Sequence, residues 1–136
     1  MERVIVTGAT GFIGSWLVQE LLKNHVKTTV LVRDRFRLLP EFIDDPQCVT
    51  LEKELGELEA VDFEGGGYDA FFHLAWEGVP PERKNDTDLQ LNNISMSMSV
   101  LETAHEIGCK KFIASGTVAE YALCNDIMNV HGKQTP

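Results

Sequence analysis

The feature that most constrains this chain is a glycine-rich turn joining a β-branched run to an amphipathic helical pattern. The run ends at Thr7 and is followed by glycines three residues apart, at Gly8, Gly11 and Gly14. Gly8 allows a tight bend, Gly11 lets backbone approach a ligand without a Cβ, and Gly14 lets the helix pack closely. Because N–H groups at a helix start bind phosphate, the turn predicts a site for a dinucleotide diphosphate.

The backbone around this turn supplies the expected ligand contacts. We expect the main-chain N–H groups of Thr10, Phe12 and Ile13 to lie beside the phosphates. The alternative is that the glycines serve only the geometry of the turn. Strand, turn and helix follow one another in the required order, which favours nucleotide binding.

Length and charge restrict the class of protein. The 136 residues predict one domain, 1–136, and a net charge of −9 argues against nucleic acid as a partner. No apolar run reaches the length of a membrane span, and the first strand begins where a signal peptide would lie, so we expect a cytoplasmic protein without a membrane partner. Cys48, Cys109 and Cys124 lack C-x-x-C spacing, which predicts reduced thiols and no metal site.

Strand and helix signals alternate along the chain, which predicts an α/β fold with a doubly wound parallel sheet. Strands are expected at residues 3–7, 28–32, 48–51, 70–74 and 112–114. A first helix should end at Asn24-His25, and a long one should run from about 87 to 107 before Gly108. The residues expected to form the two buried helical stripes are Phe12, Ile13, Trp16, Leu17, Val18, Leu21 and Leu22, then Leu89, Ile94, Met98, Leu101 and Ala104.

The turn has the spacing G-x-x-G-x-x-G within Thr-Gly-Ala-Thr-Gly-Phe-Ile-Gly. This string resembles the extended branch of the short-chain dehydrogenase/reductase superfamily, which includes nucleotide-sugar epimerases, dehydratases and dihydroflavonol-type reductases. Later motifs match in order through all 136 residues. The resemblance implies a Rossmann-type sheet of about five strands in the order 3-2-1-4-5.

The second strand is followed by Arg33 and Asp34. A carboxylate at this point favours NAD by accepting hydrogen bonds from the ribose diol, whereas a guanidinium favours the 2′-phosphate of NADP. Arg33 occupies the position where NADP-dependent relatives of the reductase type carry arginine, so NADP is favoured over NAD. Asp34 is compatible with either, and a solvated Arg/Asp pair on a loop is the alternative.

The resemblance implies an adenine contact after the third strand. Relatives carry an aspartate and an apolar residue there, and Glu54-Leu55 is the corresponding pair, with residues 56–58 (Gly-Glu-Leu) as a competing alignment. An acidic residue on an exposed loop is the alternative interpretation of Glu54.

Further cofactor contacts are implied at the fourth strand and the long helix. Leu74 and Ala75 border the ribose and nicotinamide side, and Asn93 lies near the cofactor in relatives. We interpret His73 as a hydrogen-bonded packing residue rather than a catalytic base. Trp76 either lines the substrate cleft or caps the sheet.

A hydroxyl residue four positions before a tyrosine follows the fifth strand. Thr117 precedes Tyr121 in this way, and the resemblance implies that Thr117 is the catalytic hydroxyl that bonds the reacting oxygen of the substrate. Ser115 is the neighbouring candidate and is grouped with the cofactor contacts. An ordinary Ser/Thr-rich turn is the alternative.

The family's catalytic Tyr-x-x-x-Lys motif is absent, because Phe72 and Asn125 stand four residues after Tyr68 and Tyr121. We therefore expect the N-terminal, cofactor-binding part of a longer enzyme, inactive or nearly so alone. The leading hypothesis is hydride transfer between a nucleotide-sugar carbon and the nicotinamide. The alternatives are an NADP-dependent ketone or dihydroflavonol-type reductase and a non-catalytic NAD(P) sensor. The family's usual homodimer uses the long helix together with a helix that this sequence lacks, so the resemblance allows a homodimer without fixing the oligomeric state.

Overall fold

A five-stranded parallel sheet forms the centre of the domain in the computed structural model, which describes residues 1–60, 63 and 65–117. The strands are β1 (Arg3–Thr7), β2 (Lys27–Val32), β3 (Cys48–Glu52), β4 (Ala70–His73) and β5 (Phe112–Ala114). Their spatial order is β3-β2-β1-β4-β5, with every pair parallel. The order expected from the sequence is confirmed.

Helices connect the strands and cover both faces of the sheet. They are α1 (Phe12–Lys23), the short α2 (Pro40–Ile43) and α3 (Thr87–Glu106), with 3₁₀ turns at Arg35–Arg37 and Leu55–Glu57. Asn24 caps the C-terminus of α1 and Gly108, in the left-handed conformation, follows that of α3, as expected. The segment from Val118 onward, including Tyr121 and Cys124, lies outside the described residues.

The core has two halves because successive residues of each central strand point to opposite faces. Val4 and Val6 pack on the side of α1 and α2, whereas Ile5 packs on the side of α3, and all three are fully buried. The almost continuous apolar character of β1 follows from burial on both faces. This packing holds the carboxyl ends of β1, β2 and β4 at one edge of the sheet.

The stripe expected on α1 is only partly buried. Val18 and Leu22 lie in the core, but the side chains of Phe12, Ile13 and Trp16 are 83%, 65% and 64% exposed. The first turn of α1 packs on the glycine turn rather than on a strand, so its large side chains have no sheet beneath them.

The prediction of which side of α3 faces the sheet is wrong. Ala104 is buried, but Ile94, Met98 and Leu101 are 54%, 52% and 39% exposed. The side that faces the sheet carries small and polar residues whose polar atoms are hydrogen-bonded, which hydrophobic periodicity does not detect. The buried residues of α3 are Asn93, Val100, Thr103 and Ala104.

The cysteines in the described residues are free thiols. Cys48 is buried and Cys109 is half-buried. Burial raises the pKa of the Cys48 thiol to about 11, so it stays protonated at neutral pH.

Asp69 joins three strands at the amino edge of the sheet, opposite the glycine turn. Its Oδ2 accepts hydrogen bonds from the backbone N of Glu2 at 2.6 Å and of Arg3 at 3.3 Å, and its Oδ1 accepts one from Lys110 Nζ at 2.7 Å. These bonds, the Glu2 amide first, hold the pKa of Asp69 well below its usual range.

We expect Asp69→Asn to flatten the acid arm of the stability curve. The lowered native pKa means that the unfolded chain takes up the proton first, so the stabilisation is complete above about pH 4 and is lost as the pH falls further. Urea titrations from neutral to acidic pH should show wild type and variant converging at low pH. Glu102→Gln, on an exposed part of α3, should keep the wild-type pH dependence; a parallel offset of Asp69→Asn at every pH would contradict the assignment.

Candidate functional site

A cleft of about 870 Å³ lies at the carboxyl edge of the sheet, above the glycine turn. The chain leaves β1 toward β2 on one side, and β4 lies on the other, so the cleft occupies the point where the strand order reverses. The expected site residues that line it are Gly8, Thr10, Gly11, Ile13, Arg33, Asp34, Glu54, Leu55, Leu74, Ala75, Asn93, Ser115 and Thr117. Phe12 and Gly14 do not line it.

Two of the three glycines are required by backbone packing. Gly8 has φ +76°, and a Cβ there would lie 2.7 Å from the carbonyl carbon of Leu74. A Cβ on Gly14 would lie only 2.1 Å from the carbonyl oxygen of Gly8. Gly14 therefore brings α1 against the turn itself, and its contribution to the cleft is indirect.

Gly11 has a different environment. It is the N-cap of α1 with φ −84°, and the nearest neighbour of an added Cβ is the Gly8 oxygen, at 3.2 Å. Its N–H bonds to that oxygen at 2.9 Å, but it has no side chain to cap the helix. The next N–H groups, on Phe12 and Ile13, have no acceptor within the helix, and the first turn has no acidic residue. This positive helix terminus facing a cleft suits an anion.

His73 is a buried hydrogen-bonded residue, as expected. Its Nδ1 lies 2.9 Å from Thr7 Oγ1 and its Nε2 lies 2.9 Å from Ser97 Oγ. Ser97 already donates its hydroxyl hydrogen to the carbonyl of Asn93, so His73 Nε2 donates to Ser97 and Nδ1 accepts from Thr7. Burial lowers the pKa of His73, which agrees with a neutral imidazole and with a packing role.

Thr7 also fixes the backbone after β4. Its Oγ1 accepts hydrogen bonds from the N–H groups of Leu74 and Ala75, at 3.2 and 3.3 Å. The hydroxyl therefore holds the floor of the cleft where the sequence predicts the ribose and nicotinamide side of the cofactor.

Arg33 and Asp34 both have partners, so the pair is not simply solvated. Arg33 forms an ion pair with Glu77, a residue that sequence reasoning did not single out. Asp34 Oδ1 accepts a hydrogen bond from Phe36 N at 2.9 Å and caps the following 3₁₀ turn. Arg33 and Glu77 remain 53% and 30% exposed at their side chains.

Asn93 organises the loop that carries Glu77. Its side chain is buried; Oδ1 accepts from the backbone N of Glu77 at 3.0 Å, and Nδ2 donates to the backbone O of Glu77 at 2.8 Å. Trp76, which lines the cleft, donates from its indole to Gln90 Oε1 at 2.9 Å. The unusual position of an asparagine inside a helix indicated that Asn93 has a role. The sequence did not indicate that its partner is the backbone of Glu77.

Glu54 and Leu55 line the cleft on the side of β3. Glu54 precedes the second 3₁₀ turn, and Leu55 is the first residue of that turn. Leu58 of the competing alignment is buried in the core half on the α3 side and does not line the cleft. Glu54 and Leu55 therefore border the cleft, whereas residues 56–58 do not.

Ser115 and Thr117 follow β5 and are exposed toward the cleft. The backbone N of Ser115 donates to the carbonyl of His73 at 3.2 Å, which extends the pairing of β4 with β5. The Tyr121 that completes the post-strand motif lies outside the described residues.

Basic groups collect at the cleft although the chain as a whole is acidic. Among the described residues, the basic side chains that line it are Arg33, Arg37, Lys53 and Lys84, and the acidic ones are Asp34, Glu54 and Glu77. The whole chain has a net charge of −9, whereas the basic side chains at the cleft slightly outnumber the acidic ones. This local excess of basic groups suits a phosphorylated ligand.

A parallel sheet of this order, with a glycine turn opening at its switch point, defines a dinucleotide-binding α/β domain. The sequence matches the NAD dependent epimerase/dehydratase family over residues 4–135, and the chain belongs to this family. No helix in the described part of the chain is both long and apolar enough to cross a membrane.

The chain is also similar to individual proteins and solved structures. UDP-arabinose 4-epimerase 1 of Arabidopsis thaliana is 33% identical over 131 residues, covering 89% of this chain and 31% of that protein. Dihydroflavonol 4-reductase of Arabidopsis thaliana is 37% identical over 93 residues, covering 61% of this chain and 24% of that protein. The structure of MoeE5 in complex with UDP-glucose and NAD has a TM-score of 0.69 at 26% identity, over 88% of this chain and 38% of that one. The chain thus spans about a quarter to two-fifths of the length of these relatives.

Proposed function

We propose that this chain is the cofactor-binding portion of a nucleotide-sugar epimerase or dehydratase that binds NADP or NAD. The observation that carries the proposal is the helix terminus at Gly11, uncapped by a side chain and open to the cleft. A structural neighbour solved with UDP-glucose and NAD, and the similarity to a UDP-arabinose 4-epimerase, support the cofactor and a nucleotide-sugar substrate.

The residues of the cleft fit such a cofactor. The N–H groups of Thr10, Phe12 and Ile13 would hold the diphosphate, and the missing Cβ of Gly11 leaves room for it. Glu54-Leu55 would contact the adenine. The bound nicotinamide supplies hydride transfer, which no side chain provides.

The remaining residues would position the reacting partners. Leu74 and Ala75, fixed by Thr7, would border the nicotinamide ribose. Thr117, exposed on the cleft, would donate a hydrogen bond to the reacting oxygen of the substrate, with Ser115 beside it. Asn93 would act through the loop that it holds rather than by touching the cofactor.

The local charge supports NADP over NAD. Arg33 and Arg37 both line the cleft close to the end of β2, where a 2′-phosphate would be recognised. Arg33 and Asp34 are then the residues that distinguish the two cofactors.

A second candidate function is an NADP-dependent reductase of a ketone or dihydroflavonol-type substrate. The 37% identity to a dihydroflavonol 4-reductase over 93 residues favours it, together with Arg33 after β2. The residues that distinguish the two activities are expected in the lobe that the relatives have beyond this region.

We also propose a cytoplasmic homodimer with a small-molecule substrate and no nucleic acid partner. Support for self-association comes from the exposed apolar residues of α3, which recur on one side of the helix. These residues are Leu91, Ile94, Met98 and Leu101.

We expect Gly11→Val to weaken NADPH and NADH binding by at least about ten-fold, because its side chain would stand between the diphosphate and the helix N–H groups. The N-cap conformation is accessible to valine, so the loss of stability should be only about 1 kcal/mol. Titration calorimetry and thermal unfolding measure the two effects.

Gly56→Val is the matched control, because an added Cβ at Gly56 meets no atom within 4 Å and the residue does not line the cleft. It should bind both dinucleotides as wild type does. Unchanged binding by Gly11→Val, or no binding of either dinucleotide by wild type, would overturn the proposed function.

A further inference from the structure

The Arg33–Glu77 ion pair crosses the nucleotide cleft. Arg33 follows β2, and Glu77 follows β4 by three residues of loop. Because β1 lies between β2 and β4 in the sheet, the two side chains meet across the carboxyl end of β1, where the glycine turn begins. Both residues line the cleft.

The Glu77 side of this pair is anchored. Asn93 holds the N–H and the carbonyl of Glu77 at 3.0 and 2.8 Å. The following Gly78 has φ +77° and lies so close to α3 that a Cβ would come within 2.5 Å of Leu89 Cδ2. The backbone at Glu77 is therefore fixed on the side of the cleft opposite Arg33.

The pair is partly exposed, with side-chain exposures of 53% for Arg33 and 30% for Glu77. Ion pairs of this kind contribute little to stability, so a ligand of higher charge displaces one partner easily. The neighbouring carboxylate of Asp34 is committed to capping Phe36 N. Glu77 is thus the carboxylate that pairs with the guanidinium proposed to recognise the cofactor.

We propose that Glu77 is a specificity-determining residue that competes with the 2′-phosphate of NADP for Arg33 and thereby reduces the preference for NADP over NAD. This inference rests on the proposed dinucleotide binding. A 2′-phosphate bound by Arg33 would compete with Glu77 for the guanidinium and would lie near the negative charge of Glu77. An unmodified ribose diol is neutral, so the 2′ position of NAD does not compete with Glu77 for the Arg33 guanidinium.

The test is a calorimetric titration of wild type, Glu77→Gln, Arg33→Ala and the double variant with NADPH and with NADH. Glu77→Gln should bind NADPH about five-fold more tightly, and NADH within about two-fold of wild type. Arg33→Ala should weaken NADPH binding selectively. In the Arg33→Ala background, Glu77→Gln should change NADPH affinity by less than about two-fold, because the competition no longer exists.

Glu82→Gln is the matched control, since it removes the same charge from an exposed position outside the cleft, five residues along the chain. It should leave the ratio of NADPH to NADH affinity unchanged. Thermal unfolding should show that Glu77→Gln is folded, because Asn93 holds the backbone and not the side chain of Glu77.

The outcomes separate this inference from the function on which it rests. Dinucleotide binding with equal effects of Glu77→Gln on NADPH and NADH, or with no effect on either, overturns the role of Glu77 and leaves the proposed function standing. The same gain in the Arg33→Ala background also overturns it. Failure of wild type to bind either dinucleotide overturns the proposed function and the inference with it.

Discussion

Gly14→Ala is expected to destabilise the domain by about 3 kcal/mol and to abolish dinucleotide binding. The new Cβ would lie 2.1 Å from the Gly8 oxygen and 2.7 Å from the Gly8 carbonyl carbon. Both atoms are backbone atoms, so a rotamer change cannot relieve the overlap. The helix must move away from the turn, and the N–H groups of its first turn would then no longer point into the cleft.

Chemical denaturation and titration with NADPH measure these two effects. Gly56→Ala is the matched control, because a Cβ there has no neighbour within 4 Å. It should leave stability within about 1 kcal/mol of wild type, or raise it slightly by restricting the unfolded chain. Normal stability of Gly14→Ala would show that α1 does not pack on the turn as described.

The second large effect is expected from Asn93→Ala, with a loss of about 2–4 kcal/mol in the free energy of unfolding. The substitution removes the acceptor of the Glu77 N–H and the donor to the Glu77 carbonyl. Each of these polar groups, left unpaired in a partly buried loop, carries a desolvation cost. The loop should also become mobile, so that Arg33 loses its fixed partner.

Asn92 offers the control at the neighbouring position. It is exposed, and the contact of its amide is with Met96 Sδ at 3.9 Å. Asn92→Ala should stay within about 0.5 kcal/mol of wild type, since it only improves helix propensity. Equal effects of the two substitutions in urea denaturation would contradict the role assigned to Asn93.

The fold was largely predictable because its signals are local. The β-branched run of β1 and the glycine spacing after it encode a strand, a turn and a helix within consecutive residues. The end of α3 shortly before Gly108 and the limits of β5 follow from equally local preferences. The orientation of α3 was not predictable, since burial of Asn93 and Thr103 depends on hydrogen bonds that hydrophobicity does not encode.

The candidate site divides in the same way. The expectation that Arg33 and Asp34 follow β2 and border the cleft was accessible, because a strand end fixes their position. Their partners were not: Glu77 lies 44 residues after Arg33, and no local pattern links them. The position of Asn93 inside a helix indicated a special role. That it holds the Glu77 loop became evident only from the structure, because its partners are backbone atoms of a distant loop.

The sequence by itself determined the order of elements, the glycine turn at the carboxyl edge of the sheet and the family to which the chain belongs, since these depend on contiguous residues and their spacing. Only the tertiary structure decided that Gly14 packs on Gly8, that His73 is bonded at both ring nitrogens, and that Glu77 pairs with Arg33. The contacts of His73 and Glu77 join residues that lie far apart in the sequence, on different strands, helices and loops. Their geometry exists only once the parallel sheet has brought the strand ends to one edge.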